Sequence, residues 1–196
     1  MFEKSVEELT ELGAQITTAE IAQQPELWRD TLNIYRENKE AIEAFLAEAR
    51  AMGEGRLSVV FTGAGTSDYV GDTCAPYLRH AGNTDLYDFK PIATTDIVSA
   101  PRDFLRAEDP TLVVSFARSG NSPESLAAVA VAKELVHNVK FLNITCAPEG
   151  KLAVESADDP NALTLLIPRD QRQGLRHDRF LFLHDPALHP YFRHCL

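Results

Sequence analysis

No stretch of this chain approaches the roughly 20 consecutive apolar residues that a membrane-crossing helix requires, so a spanning helix is not expected. Cysteine is scarce. Cys74, Cys146 and Cys195 are three in number, an odd count at no metal-ligand spacing, which reads as free thiols rather than a disulfide framework. Ten glycines and eleven prolines among 196 residues are too thinly spread for a collagen-like or low-complexity chain. Positive charge is short as well: 19 Lys plus Arg against 29 Asp plus Glu leave a net charge of −10. Such a balance repels phosphate backbones and anionic lipid surfaces, so neither nucleic acid nor membrane is expected as a partner. The start, Met1-Phe2-Glu3-Lys4-Ser5-Val6-Glu7-Glu8, has neither the basic nor the apolar part of a secretory signal, in keeping with a cytoplasmic protein.

What is present suits a folded domain. Hydrophobic residues make up 44% of the chain, and a domain of about 150 residues buries roughly 70% of its unfolded surface without needing a covalent staple. The acidic balance still leaves room for a small anion, because backbone N–H groups at a helix start hold phosphate whatever the global charge.

Three segments differ in pattern. Residues 1–55 read as helix: Thr17-Thr18-Ala19-Glu20 offers a capping box, and Pro25 suits the first position of a following helix. Leu27, Trp28, Leu32, Tyr35, Ile42, Phe45, Leu46 and Ala49 then recur at helical spacing, a stripe for packing within the chain or against a second copy. Residues 56–168 alternate strands with helices. Strands are expected at Leu57–Thr62, Asp85–Ile92, Leu112–Phe116, Lys140–Thr145 and Leu163–Ile167. Helices are expected from Ser67 to about His80, around Asp96–Val98, and from Pro123 to His137. That alternation means right-handed crossovers, hence an α/β fold of three layers, α-β-α, around a mostly parallel sheet, preceded by N-terminal helices.

Residues 169–196 form an atypical tail. From 171 onward there is no lysine, and four Arg against two Asp give +2, whereas residues 1–170 carry −12. Phe180-Leu181-Phe182-Leu183 suggests a strand, but Asp185-Pro186 and His189-Pro190 interrupt anything longer. His177, His184, His189 and His194 fix no common face at their spacings, and no metal site is assigned.

Two turns carry the chemistry. Each places hydroxyl residues and glycine between the C-terminal end of a buried strand and a helix start, the edge where ligands bind in open α/β sheets. In the first, Gly63 and Gly65 make the turn and Thr66 and Ser67 stand at the helix entry. In the second, Ser119, Asn121 and Ser122 surround Gly120, Pro123 opens the helix with Ser122 as its N-cap, and Arg118 offers a charged fork to a phosphate. The alternative is that Ser67 and Ser122 merely cap helices. Two such turns in one sheet favour an anion site.

Gly63-Ala64-Gly65-Thr66-Ser67, followed by Ser115-Phe116-Ala117-Arg118-Ser119-Gly120-Asn121-Ser122-Pro123-Glu124-Ser125, resembles the sugar isomerase (SIS) domain family. Within it the chain is most similar to the tagatose-6-phosphate ketose/aldose isomerase type, whose members include galactosamine-6-phosphate deaminase/isomerases. The resemblance covers residues 1–168 and implies a flavodoxin-like sheet and a small-molecule sugar phosphate as ligand, without a cofactor. It implies that Ser67, Ser119 and Ser122 hold the phosphate, flanked by Gly65, Thr66, Arg118, Gly120 and Asn121. One family serine falls on Ala117 here, with Arg118 placed to compensate. It further implies two such domains in tandem, with the proton-shuttling base and ring-opening histidine coming largely from the second. On that reading this chain is a truncated isomerase or deaminase with weak or no turnover, its tail resembling translation in a shifted frame, and a homo-oligomer. No catalytic residue is assigned. Glu124, the acidic side chain nearest the motif, suits a first-turn carboxylate favouring the helix dipole. The competing function is a phosphosugar-sensing module without catalysis. A dinucleotide-binding unit is disfavoured, because Asp68 stands where a third glycine belongs.

Overall fold

Among the described residues, short runs rich in β-branched and aromatic residues become five strands: β1 (Leu57–Gly63), β2 (Tyr87–Pro91), β3 (Thr111–Ala117), β4 (Val139–Thr145) and β5 (Ala162–Leu166). The computed structural model describes residues 2–168. The tail of 169–196, with its suggested strand and four histidines, lies outside the described residues. All five strands are parallel, in the order β2-β1-β3-β4-β5. β1 and β3 are buried along their whole length, as expected of strands covered on both faces. β5 is only partly buried, unlike the continuous burial its apolar sequence suggests, because among the described residues it forms an edge of the sheet.

The helices are α1 (Val6–Glu11), α2 (Gln15–Ala22), α3 (Gln24–Arg50), α4 (Asp68–Ala81), α5 (Thr94–Ser99), α6 (Pro101–Phe104), α7 (Pro123–Leu135) and α8 (Lys151–Ser156). Strand periodicity of two sorts the core into two layers. Phe61, Val114, Phe116 and Ile144 meet α3 and α4 on one face. Val60, Val113 and Phe141 meet Ala128 and Ala132 of α7 on the other. Among the described residues, no helix is long and apolar enough to cross a membrane.

Two readings of the helical lead-in need correction. Thr17 to Glu20 form no capping box; they lie inside α2, where the Thr18 hydroxyl donates to the Ala14 carbonyl at 2.8 Å and buried Glu20 accepts from Gln23 at 2.8 Å. The box belongs to Ser5 and Glu8: the Glu8 amide donates to Ser5 Oγ at 3.2 Å and the Ser5 amide to Glu8 Oε2 at 2.8 Å. Pro25 stands one place later than expected, second in α3, still within the first turn where its missing N–H breaks no helical bond. The apolar stripe of α3 divides. Ile42, Phe45, Leu46 and Ala49 enter the main core, with Leu32 and Tyr35 packed against it. Lys140, buried on β4, fastens this half of α3 to the sheet through Glu48 Oε2 at 2.8 Å and by lying 4.7 Å over the Phe45 ring.

Polarity rises toward the C-terminal edge of the sheet. Thr62, Ser115, Asn143 and Thr164 stand in register across β1, β3, β4 and β5, one row above the apolar layer under α7. Each has a buried polar atom without a hydrogen-bond partner. Just beyond them lies the topological switch point. From β1 the chain leaves through α4 on one face, and from β3 through α7 on the other, so a crevice opens between the two strand ends.

Candidate functional site

Both hydroxyl-bearing turns end at that crevice. After β1 the chain makes one tight 3-10 turn, Gly65–Ser67, before α4. Gly65 takes φ +59° and Gly120 takes φ +61°, left-handed values that a side chain disfavours. The turns line one cleft of about 150 Å³, with Ala64, Thr66 and Ser67 on one side and Arg118, Ser119, Gly120 and Ser122 on the other. Phe116, Ala117 and Ser125 complete its wall. That volume is below the 300–1,000 Å³ of a typical small-molecule pocket, so it suits the charged end of a ligand better than the whole of one.

The hydroxyls are not used as helix caps. Ser67 and Ser122 occupy the N-cap positions of α4 and α7, but neither side chain makes a capping hydrogen bond. Instead Ser122 donates to Ser125 Oγ at 2.6 Å. Ser119 Oγ accepts from the Asn121 amide at 3.3 Å, which leaves the serine proton for another acceptor. Among the described residues, Arg118 is the one charged side chain on the wall, and no Asp, Glu or His lines it.

Six of the eight residues singled out from sequence face the cleft. Gly65 and Asn121 do not line it. Gly65 shapes its turn, and Asn121 Oδ1 accepts from the Lys151 amide at 3.0 Å, filling an unpaired donor at the start of α8. Glu124 is exposed in the first turn of α7 and absent from the wall.

Sequence reasoning missed the support behind the second turn. The Leu152 amide donates to the Gly120 carbonyl at 2.9 Å, and Thr145 Oγ1 donates to the Arg118 carbonyl at 3.4 Å. Gly150 packs so closely on Ser119 that a Cβ there would lie 2.4 Å from the Ser119 oxygen. Pro148-Glu149-Gly150 before an apolar-rich run was a legible turn-and-helix signal. Ser125, three residues after Ser122 on the first helical turn, was also legible as a neighbour.

Asp68, at the first position of α4, carries a carboxyl pushed up to about 6 by burial, with Asp72 and Asp96 adding repulsion. One of its oxygens is buried without a partner. The folded chain therefore binds this proton more tightly than the unfolded chain. Between the unfolded value near 3.8 and the folded value near 6, stability falls as pH rises, then levels off. Asp68→Asn should be more stable than wild type at pH 7.5, with the gap shrinking as the pH is lowered through 6 to 4.5. Chemical denaturation across that range checks it, and a constant gap counts against the assignment. Cys74 is inert by comparison, its thiol pushed up to about 12 by burial.

Comparison with known proteins gives a consistent picture. No family model matches the chain. It is 42% identical over 164 residues to the D-galactosamine-6-phosphate deaminase AgaS of Shewanella sp. (strain ANA-3), covering 84% of this chain and 42% of that protein. Among solved structures, a candidate tagatose-6-phosphate ketose/aldose isomerase from Clostridium novyi NT superimposes with a TM-score of 0.81 at 37% identity, covering 100% of this chain and 49% of the other. The tagatose-6-phosphate ketose/aldose isomerase from Escherichia coli gives 0.69 at 38% identity, covering 78% and 40%. The chain thus spans about two fifths of the length of the curated relatives it matches.

Proposed function

We propose that the chain, as a member of the sugar isomerase (SIS) domain family, binds a sugar phosphate of the galactosamine-6-phosphate or tagatose-6-phosphate class at the switch-point cleft. The observation that carries the reading is the convergence of two hydroxyl-rich turns on one small cleft, with Ser67 and Ser122 at helix starts but not capping them. The phosphate takes hydrogen bonds from Thr66, Ser67, Ser119 and Ser122, and Arg118 balances its charge. The open first turns of α4 and α7 add partial positive charge. Gly65 and Asn121 serve by holding the turns in shape.

The 196-residue chain turns its ligand over weakly or not at all. Aldose–ketose interconversion and amine release both move protons at the first two sugar carbons, which takes a carboxylate or imidazole. The described cleft wall offers neither. The same composition favours the second reading, a module that senses a phosphosugar without converting it. Robust isomerisation or ammonia release by the purified chain would exclude that second reading.

Binding is tested by thermal shift. A ligand bound only by the folded state adds about 2.7 kcal/mol at 100 times its dissociation constant. Galactosamine 6-phosphate or tagatose 6-phosphate should raise Tm, and NAD should not. Ser67→Ala and Ser119→Ala should each remove most of that shift while leaving the unliganded Tm nearly unchanged. Loss of several degrees without ligand in both variants would make these serines structural and the site assignment wrong.

We further infer a cytoplasmic, self-associating protein. The exposed Phe2, Val6, Leu12, Ile16 and Ile21 of the N-terminal segment support self-association. Light scattering on the purified chain should give more than the monomer mass of 21.7 kDa, and a monomer at high concentration would refute it.

A further inference from the structure

We propose that Ser125 is a positioning residue for the phosphate pocket, acting through Ser122; the inference rests on the phosphosugar reading above. Ser125 is 1% exposed, so its hydroxyl is cut off from bulk water, yet it stands on the wall of the cleft. Its oxygen lies 2.6 Å from that of Ser122, at the short end of the range for a hydroxyl pair. The Ser125 amide also donates to the Ser122 carbonyl at 3.1 Å, which fixes the separation of the two residues on the first turn of α7.

A serine hydroxyl has one proton to give. In the structure Ser122 gives it to Ser125. A phosphate dianion offers acceptors only, so Ser122 serves it by turning that proton outward. The Ser122 oxygen then needs a donor, and the hydroxyl in reach is that of Ser125. Rotation of the two O–H bonds reverses the direction of the pair without moving a heavy atom. Ser125 donates to Ser122, and Ser122 donates to the phosphate. A chain of donors polarises each bond along it, so the outward bond to the anion is strengthened. Without Ser125, the buried side of Ser122 loses its partner and the outward bond weakens.

The test is a double-mutant cycle read by isothermal titration calorimetry, with tagatose 6-phosphate and inorganic phosphate as probes of the full chain. Ser122→Ala should weaken binding about ten- to a hundredfold, the loss of one hydrogen bond to a charged group, and Ser125→Ala about three- to tenfold, the loss of the neutral bond behind it. The double variant should bind no more weakly than Ser122→Ala alone, because Ser125 acts through that residue. Ser125→Thr, which keeps the hydroxyl, should restore binding to within about twofold of wild type. Should Ser125→Ala fail to fold, Ser125→Cys fills the space with a poor donor and should show the same loss. Wild-type affinity in Ser125→Ala or Ser125→Cys, or a double variant whose penalty is the product of the two single ones, overturns the relay while leaving the pocket in place. A wild-type chain that takes up neither probe overturns the phosphosugar reading itself, and the relay with it.

Discussion

Gly150→Ala is expected to weaken sugar-phosphate binding about a hundredfold while leaving the sheet folded. The added Cβ would lie 2.4 Å from the Ser119 carbonyl oxygen, 3.1 Å from that of Ala147 and 3.2 Å from the Gly120 Cα. These are backbone atoms, which cannot swing aside as a side-chain end can. The start of α8 is meanwhile tied to the same turn by the Leu152–Gly120 and Lys151–Asn121 hydrogen bonds at 2.9 and 3.0 Å. The turn must therefore shift as a unit, displacing Ser119 and Ser122 relative to Ser67. A misplacement of about 1 Å in a pre-set constellation typically reduces its action about a hundredfold, and an affinity loss of that order is expected. Overpacking costs about 1–3 kcal/mol, or a few degrees in Tm. Calorimetric titration alongside a melting curve separates the two effects. Undiminished affinity would show that the turn after β3 is not held from behind by α8, or does not hold the phosphate.

Phe61→Ala should produce the largest loss of stability from a single change. Phe61 is fully buried on β1, between Phe89 on β2 and Phe116 on β3, with ring centroids 6.4 and 6.3 Å away. Truncating a buried aromatic of this kind costs about 3–5 kcal/mol through lost transfer free energy and the cavity left behind. A domain with a total of about 5–15 kcal/mol gives up a large share. At roughly 2–4 °C per kcal/mol, Tm should fall by about 6–20 °C. Val154→Ala is the control, because Val154 on α8 is 59% exposed and should stay within about 0.5 kcal/mol of wild type. Similar losses in the two variants would mean that the three stacked rings do not form the centre of the core.

The strands and the two turns were legible because their determinants are local. Leu57–Thr62 and Leu112–Phe116 alternate their side chains between two apolar layers, and a run apolar on both sides belongs in the middle of a parallel sheet. Glycine at 65 and at 120 marks where the backbone turns left-handed. The misreadings are local ambiguities of another kind. Thr17-Thr18-Ala19-Glu20 and Ser5-Val6-Glu7-Glu8 both satisfy the capping-box pattern, and only the hydrogen bonds of the folded helices show which one uses it. Asn121, between Ser119 and Ser122 in the second turn, has a role that no local pattern signals. Its oxygen is taken by the α8 amide 30 positions away in the chain.

The amino-acid order by itself determined the helical lead-in, the strands and the pair of hydroxyl-bearing turns, each written in neighbouring residues, and their alternation along the chain gave the α/β class and the parallel sheet. Only the tertiary structure decided that β1 and β3 lie side by side with α4 and α7 departing to opposite faces, which brings the two turns to one cleft. It alone showed that Gly150 and α8 brace the second turn, and that Ser122 leans on Ser125 rather than on its own helix end. The physical reason is distance along the chain. A propensity or a turn is fixed by adjacent φ and ψ angles, whereas strand order and backbone-to-backbone contact arise when segments tens of residues apart are packed together.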